Sequence, residues 1–189
     1  MSGASFGDFL LLGIRHIFTG YDHLFFLFGL LLVCTRGPAV IAIVSGFTLG
    51  HSVTLALATF GLVDLPSRLT EPLIALTIFY VGAENLWRRG EPPRGRWLLV
   101  LLFGLVHGFG FAHVLREVGV GTDGRGVALP LFGFNLGVEL GQLGFAALFL
   151  PLLAWLRRQP AFARRGVPAL SIVVAAAGLY WFVERAVLA

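Results

Sequence analysis

Residues 9–34 read FLLLGIRHIFTGYDHLFFLFGLLLVC. A run of this length can cross a bilayer as a helix, since about 20 apolar residues span the hydrocarbon core. Yet its middle holds Arg15, His16, Asp22 and His23. Ionisable groups at bilayer depth are costly and mark functional positions by default. On a continuous helix seven residues make about two turns, so His16 and His23 are expected on one stripe. Asp22 then lies about 100° around from His23. There it can face the same cavity, or anchor Arg15 or another helix. Two histidines on one stripe beside a carboxylate read as a site rather than as two unrelated core histidines.

The rest of the chain supports a membrane reading. Of its 189 residues, 57% are hydrophobic and 13% charged, against about 25% charged in soluble domains. The mean hydropathy is +0.87. All 14 basic residues are arginine. They cluster in short breaks between apolar runs, which reads as a topology signal rather than a nucleic-acid surface. Cys34 is the only cysteine, so neither an intrachain disulfide nor a thiolate metal cluster is expected. The first apolar run lacks the basic start and cleavage site of a secretory signal, and is expected to stay in the mature chain.

Six apolar runs predict an all-α membrane bundle forming one transmembrane domain over residues 1–189, with helices near Phe9–Cys34, Ala39–Leu62, Leu69–Trp87, Trp97–Leu115, Val127–Leu156 and Val167–Val187. Trp87, Trp97, Trp155 and Trp181 lie near segment ends, as an interfacial belt requires. The odd-numbered connections hold Arg36, Arg88, Arg89, Arg94, Arg96, Arg157, Arg158, Arg164 and Arg165; the opposite side has Arg68, Arg116, Arg125 and Arg185. By the positive-inside rule both termini face out. The implied location is a bacterial inner membrane, crossed several times.

Further polar residues lie within these runs. In the second, Ser45, Thr48, Ser52 and Thr59 follow helical spacing beside His51; hydroxyls bonding back to their own helix explain the Ser and Thr, but not the histidine. In the third, Thr77, Tyr80 and Glu84 share a face; Glu84 is read as the partner of Arg88, and Glu71 as a first-turn acid. The fourth ends LVHGFGFAH. His107 is the deeper candidate there and His113 reads as interfacial. Gly104, Gly108 and Gly110 either admit a neighbouring backbone or break the helix. In the fifth, Asn135, Glu139 and Gln142 form a polar stripe, while Gly133, Gly137 and Gly141 form a second stripe of packing type. The sixth, with Ser171, Tyr180 and Glu184, reads as structural.

The metal candidates are therefore His16, Asp22, His23, His51, His107 and Glu139, with Thr48, Ser52, His113, Asn135 and Gln142 as secondary polar lining. Imidazole with a few oxygens suits nickel, cobalt or zinc, and the absence of thiolate argues against copper(I). The run GIRHIFTGYDHLFFLFGLLL, with FTLGHSVTLALATFGLVDLPSRLTEPLIALTIFYVGAEN, FGLVHGFGF and FGFNLGVELGQL, resembles the HupE/UreJ family of hydrogenase and urease accessory membrane proteins. Its His-x5-Asp-His marker falls on His16, Asp22 and His23. The resemblance implies a small six-helix permease for nickel or cobalt, with lipid and the metal ion as partners and a homo-oligomer left open. No nucleotide site is legible, so transport would be secondary or facilitated. The alternative is an intramembrane zinc-dependent hydrolase of a lipid or peptide, using three histidines and a base such as Asp22 or Glu139. A haem or quinone protein ranks third.

Overall fold

The computed structural model describes residues 5–34, 36–63, 65–88, 95–111, 115, 120 and 126–188. His113, Arg89, Arg94, Arg116 and Arg125 lie outside these. The described residues form helices joined by turns and short irregular stretches, and contain no strand. In chain order the helices are α1 (Phe6–Thr19), α2 (Tyr21–Leu31), α3 (Gly37–Thr59), α4 (Ser67–Trp87), α5 (Arg96–Phe109), α6 (Ala128–Arg157) and α7 (Val167–Val183). Five-residue π-helical segments, Phe162–Gly166 and Glu184–Leu188, flank α7.

Local chemistry sets several of these ends. Ser5 and Asp8 form a capping box at α1: the Ser5 backbone N–H donates to the Asp8 carboxylate (2.7 Å) and the Asp8 N–H to Ser5 Oγ (3.3 Å). Proline in the first turn opens both α3 and α7, where its missing N–H costs nothing.

The first apolar run is not one helix. It breaks at Gly20, whose backbone is extended (φ −85°, ψ 95°) and separates α1 from α2. This φ is open to any residue; the reason for glycine is space. A Cβ there would lie 2.9 Å from both the His16 carbonyl and His23 Nδ1.

Three helices are long and apolar enough to span a membrane: α3, α6 and the stretch Phe162–Val187 that contains α7. The others fall short for visible reasons. The first run is divided, α5 has 14 residues, and α4 is diluted by Arg68, Glu71, Glu84 and Asn85.

The helices pack as three close pairs, α1 with α6, α3 with α5, and α4 with α7. Glycine against backbone makes each pair. Gly137 faces the Leu10 carbonyl and Gly13 faces Phe134; Gly50 faces Leu101, Gly104 faces Phe47 and Gly108 faces His51; Gly82 faces Ala175 and Gly178 faces Phe79. The glycine stripe of α6 is thus the packing face read from its spacing, and its polar stripe lies elsewhere. Without a hydrophobic drive between helices in lipid, such close contact is what holds them together.

Helix α2 lies among α4, α6 and α7, and its apolar side enters the main core with Phe26, Leu27, Leu30, Phe47 and Ile78. At the far end from Gly20, Asn85 donates to the Gly29 carbonyl (2.8 Å) and Arg157 to the Leu32 carbonyl (3.0 Å), satisfying α2's last acceptors. Glu84 meets Arg88 (3.3 Å), as its spacing suggests, and also the buried Arg96 (3.5 Å), which spacing does not reveal. Arg96 additionally donates to Asn85 (2.9 Å).

Candidate metal centre

The break at Gly20 undoes the continuous stripe expected of His16 and His23, yet the two rings meet, with centroids 4.5 Å apart. A ligand nitrogen of His16, one of His23 and one of His51 all lie within 4.8 Å of one another. His51 comes from α3 and its ring lies 6.0 Å from that of His16. His107, from α5, lies 5.1 Å from His23. Two imidazoles on one ion at a tetrahedral angle place their centroids roughly 5 Å apart, given metal–nitrogen bonds of about 2.0–2.1 Å. The His16–His23 and His23–His107 pairs are therefore at the separation that one shared ion requires, while His51 stands wider, 6.4 Å from His23.

Their hydrogen bonding is incomplete in a way that suits this. His16 Nε2, both nitrogens of His23, His51 Nε2 and His107 Nδ1 are buried without a partner among the described residues. Buried polar atoms almost always find a partner, and each exception calls for an explanation such as an ion or water. One cation taking a nitrogen from each ring accounts for four of these five at once, with the second nitrogen of His23 left over. The walls are aromatic: Phe111 lies 4.1 Å from His16, Phe26 lies 5.2 Å from His107, and Phe47 and Phe134 both stack on His51.

A cavity of about 250 Å³ leads to the cluster. His16, His23 and His107 line its inner part, and Asp22, Glu71 and Arg185 its more exposed part. Asp22 does not join the ring cluster. Arg185 grips it in a two-pronged pair, NH1 to Oδ2 at 3.0 Å and NH2 to Oδ1 at 3.2 Å. Of the two positions open to it from sequence, Asp22 thus takes both, facing the cavity and anchoring another helix end. Glu71 lies beyond the first turn of α4, where a first-turn acid was expected, and its carboxylate stands 3.9 Å from Arg185.

Glu139 belongs to a second space. It accepts from Ser45 Oγ (2.6 Å) and lines a groove of about 390 Å³ between α3 and α6 with Thr48, Ser52 and Asn135. Gln142 accepts from Thr48 (3.2 Å). Ser52 bonds back to the Thr48 carbonyl (2.6 Å), and Thr59 and Ser171 bond back to their own helices. Asn135 connects groove and cluster, since its Oδ1 lies 3.2 Å from His51 Nδ1. Sequence reading takes Arg185 only as a topology charge, and gives Thr77 no role. Thr77 in fact holds His107 Nε2 at 2.9 Å.

The profile of the HupE/UreJ protein family matches residues 1–185. The chain belongs to the HupE/UreJ family. These are membrane proteins related to nickel and cobalt handling, and the histidine cluster and long apolar helices fit that setting. No curated protein and no solved structure matches the chain.

Proposed function

We propose that this HupE/UreJ protein is a permease for a divalent transition metal, nickel or cobalt, and that His16, His23, His51 and His107 form its intramembrane cation station. The observation that carries this reading is the group of five partnerless ring nitrogens buried together. A neutral four-imidazole environment holds a borderline cation without satisfying its charge, which suits a site that must also release. The break at Gly20 supports the same reading, because discontinuous helices are how transporters build ion sites at membrane depth.

In this reading the chain crosses the membrane six times, with α1 and α2 as one broken segment and both termini outside. The cavity with Asp22, Glu71 and Arg185 then opens outward, where two carboxylates attract an incoming cation. The Glu84–Arg88–Arg96 network lies at the cytoplasmic end. Asp22 acts at the entrance rather than as a ligand, and Glu139 stands along a polar path beyond Asn135. The hydrolase reading ranks second. It needs a free carboxylate beside the metal, and Asp22 is held by Arg185 while Glu139 faces the groove.

The test is uptake of nickel(II) and cobalt(II) into proteoliposomes by wild type and His23→Ala, with metal content measured on the same preparations. Wild type should both hold and move metal, and the variant should lose both. A wild-type protein that holds one metal firmly and moves none overturns the permease.

A further inference from the structure

The hydrogen bonds around His51 and His107 determine where their protons sit. Thr77 Oγ1 lies 2.7 Å from the Ile74 carbonyl and 2.9 Å from His107 Nε2. A hydroxyl has one proton. Two oxygens 2.7 Å apart need that proton between them, so Thr77 donates to Ile74 and accepts from His107 Nε2–H. His107 then carries its lone pair on Nδ1, the atom left buried and partnerless. The same count applies on α6. Asn135 Nδ2 donates to the Leu131 carbonyl at 2.9 Å, which turns Oδ1 towards His51 Nδ1 at 3.2 Å. An amide oxygen only accepts, so His51 Nδ1 carries the proton and Nε2 is bare. Nε2 is again the partnerless atom.

We propose that Thr77 and Asn135 are positioning residues that preset the proton on His107 and His51, so that His107 Nδ1 joins His16, His23 and His51 Nε2 as the fourth nitrogen ligand of a divalent transition metal. This rests on the reading of the cluster as a cation site. Outer partners of this kind fix the tautomer and ring orientation of ligand histidines. Here both partners are uncharged, and both sit on helices other than that of the histidine they hold. The preset is therefore made by packing of α4 on α5 and of α6 on α3. A site so built presents four neutral nitrogens and no carboxylate, which favours nickel, cobalt or zinc over magnesium or calcium.

The experiment has a metal-free and a metal-bound arm. Long-range nitrogen spectra of ¹⁵N-histidine-labelled protein, assigned through single histidine substitutions, read the tautomers directly. His107 should show a bare Nδ1 and His51 a bare Nε2, and Thr77→Val should release the His107 preference. Cobalt(II) titration with X-ray absorption forms the second arm. Wild type should show four imidazoles, and His107→Ala three. Thr77→Val and Asn135→Leu should each weaken cobalt(II) binding by about 10–100-fold, with Thr77→Ser restoring it. A bare Nε2 on His107, three imidazoles in wild type, or unchanged affinity in Thr77→Val overturns the inference while leaving the cation site standing. Wild type that binds no cobalt(II) overturns the cation site itself.

Discussion

Gly20→Ala separates the proposed metal site from the fold more sharply than removal of a ligand does. The backbone at Gly20 accommodates alanine, since φ is −85° and ψ is 95°. The added Cβ, however, would lie 2.9 Å from His23 Nδ1 and 2.9 Å from the His16 carbonyl. Optimal non-bonded contact lies at roughly 3.5–4.0 Å, so the His23 ring must retreat by about 0.6 Å or more. Metal–ligand distances tolerate only about 0.2 Å. His23 is the ring with both nitrogens free, and it neighbours His16, His51 and His107, so its displacement weakens the whole cluster. Binding should fall at least about tenfold, the scale of a disturbed ligand orientation. A metal-dependent thermal shift measures it. At a metal concentration of about 100 times the wild-type Kd, bound metal adds about 2.7 kcal/mol of stability; a tenfold weaker site adds about 1.4 kcal/mol. Without metal the two proteins should unfold close together. Equal metal-dependent stabilisation of both would refute the claim that the glycine holds space for His23.

Removing Glu84 by Glu84→Ala leaves Arg96 buried without its acid, since the two side chains are 2% and 3% exposed; a loss of about 3–5 kcal/mol is expected, measured by denaturant unfolding in detergent, and an unchanged midpoint contradicts it. Glu139→Gln keeps an oxygen for Ser45 but removes the charge, so metal content should stay while uptake slows; loss of bound metal instead would make Glu139 a ligand. Protons compete with metal for the same imidazole nitrogens, so metal affinity should weaken as pH falls. Affinity that stays constant down to the pH at which the protein unfolds would point to donors other than histidine. Reporters fused after Arg94 and after Arg164 should read cytoplasmic, and a periplasmic signal at either reverses the orientation.

Much of the site was legible because cost makes polar residues in an apolar run conspicuous. His16, His23, His51 and His107 stood out for that reason alone, and all four converge. The glycine stripe of α6 was legible from its four-residue step. The break at Gly20 was not, because a lone glycine in an apolar run reads equally as helix, and the reason for it is a ring seven residues from His16 in sequence. The partners of the carboxylates were not legible either. Asp22 pairs with Arg185 across 163 residues, and no local pattern encodes such a distance. The i+4 rule found Arg88 for Glu84 but not Arg96, which reaches it from another helix.

The packing glycines and the histidines are interleaved in sequence, and this is what gives the cluster its dimensions. His51 follows Gly50, and His107 precedes Gly108. Gly50 lies against the Leu101 carbonyl of α5, Gly104 against Phe47 and the His51 N–H, and Gly108 against the His51 carbonyl of α3. The two backbones thus touch at the level of His51. On the other side Gly13 and Gly137 bring α1 against α6, three residues before His16 and two after Asn135. Asn135 then reaches His51 from α6 while His16 reaches it from α1. The separation between rings is therefore set by glycine-to-backbone contacts that the rings do not make. His51 and His107 each pair with a neighbouring helix through one nitrogen, Asn135 and Thr77 being the partners, and the same packing holds the rings close with their bare nitrogens turned to a shared space.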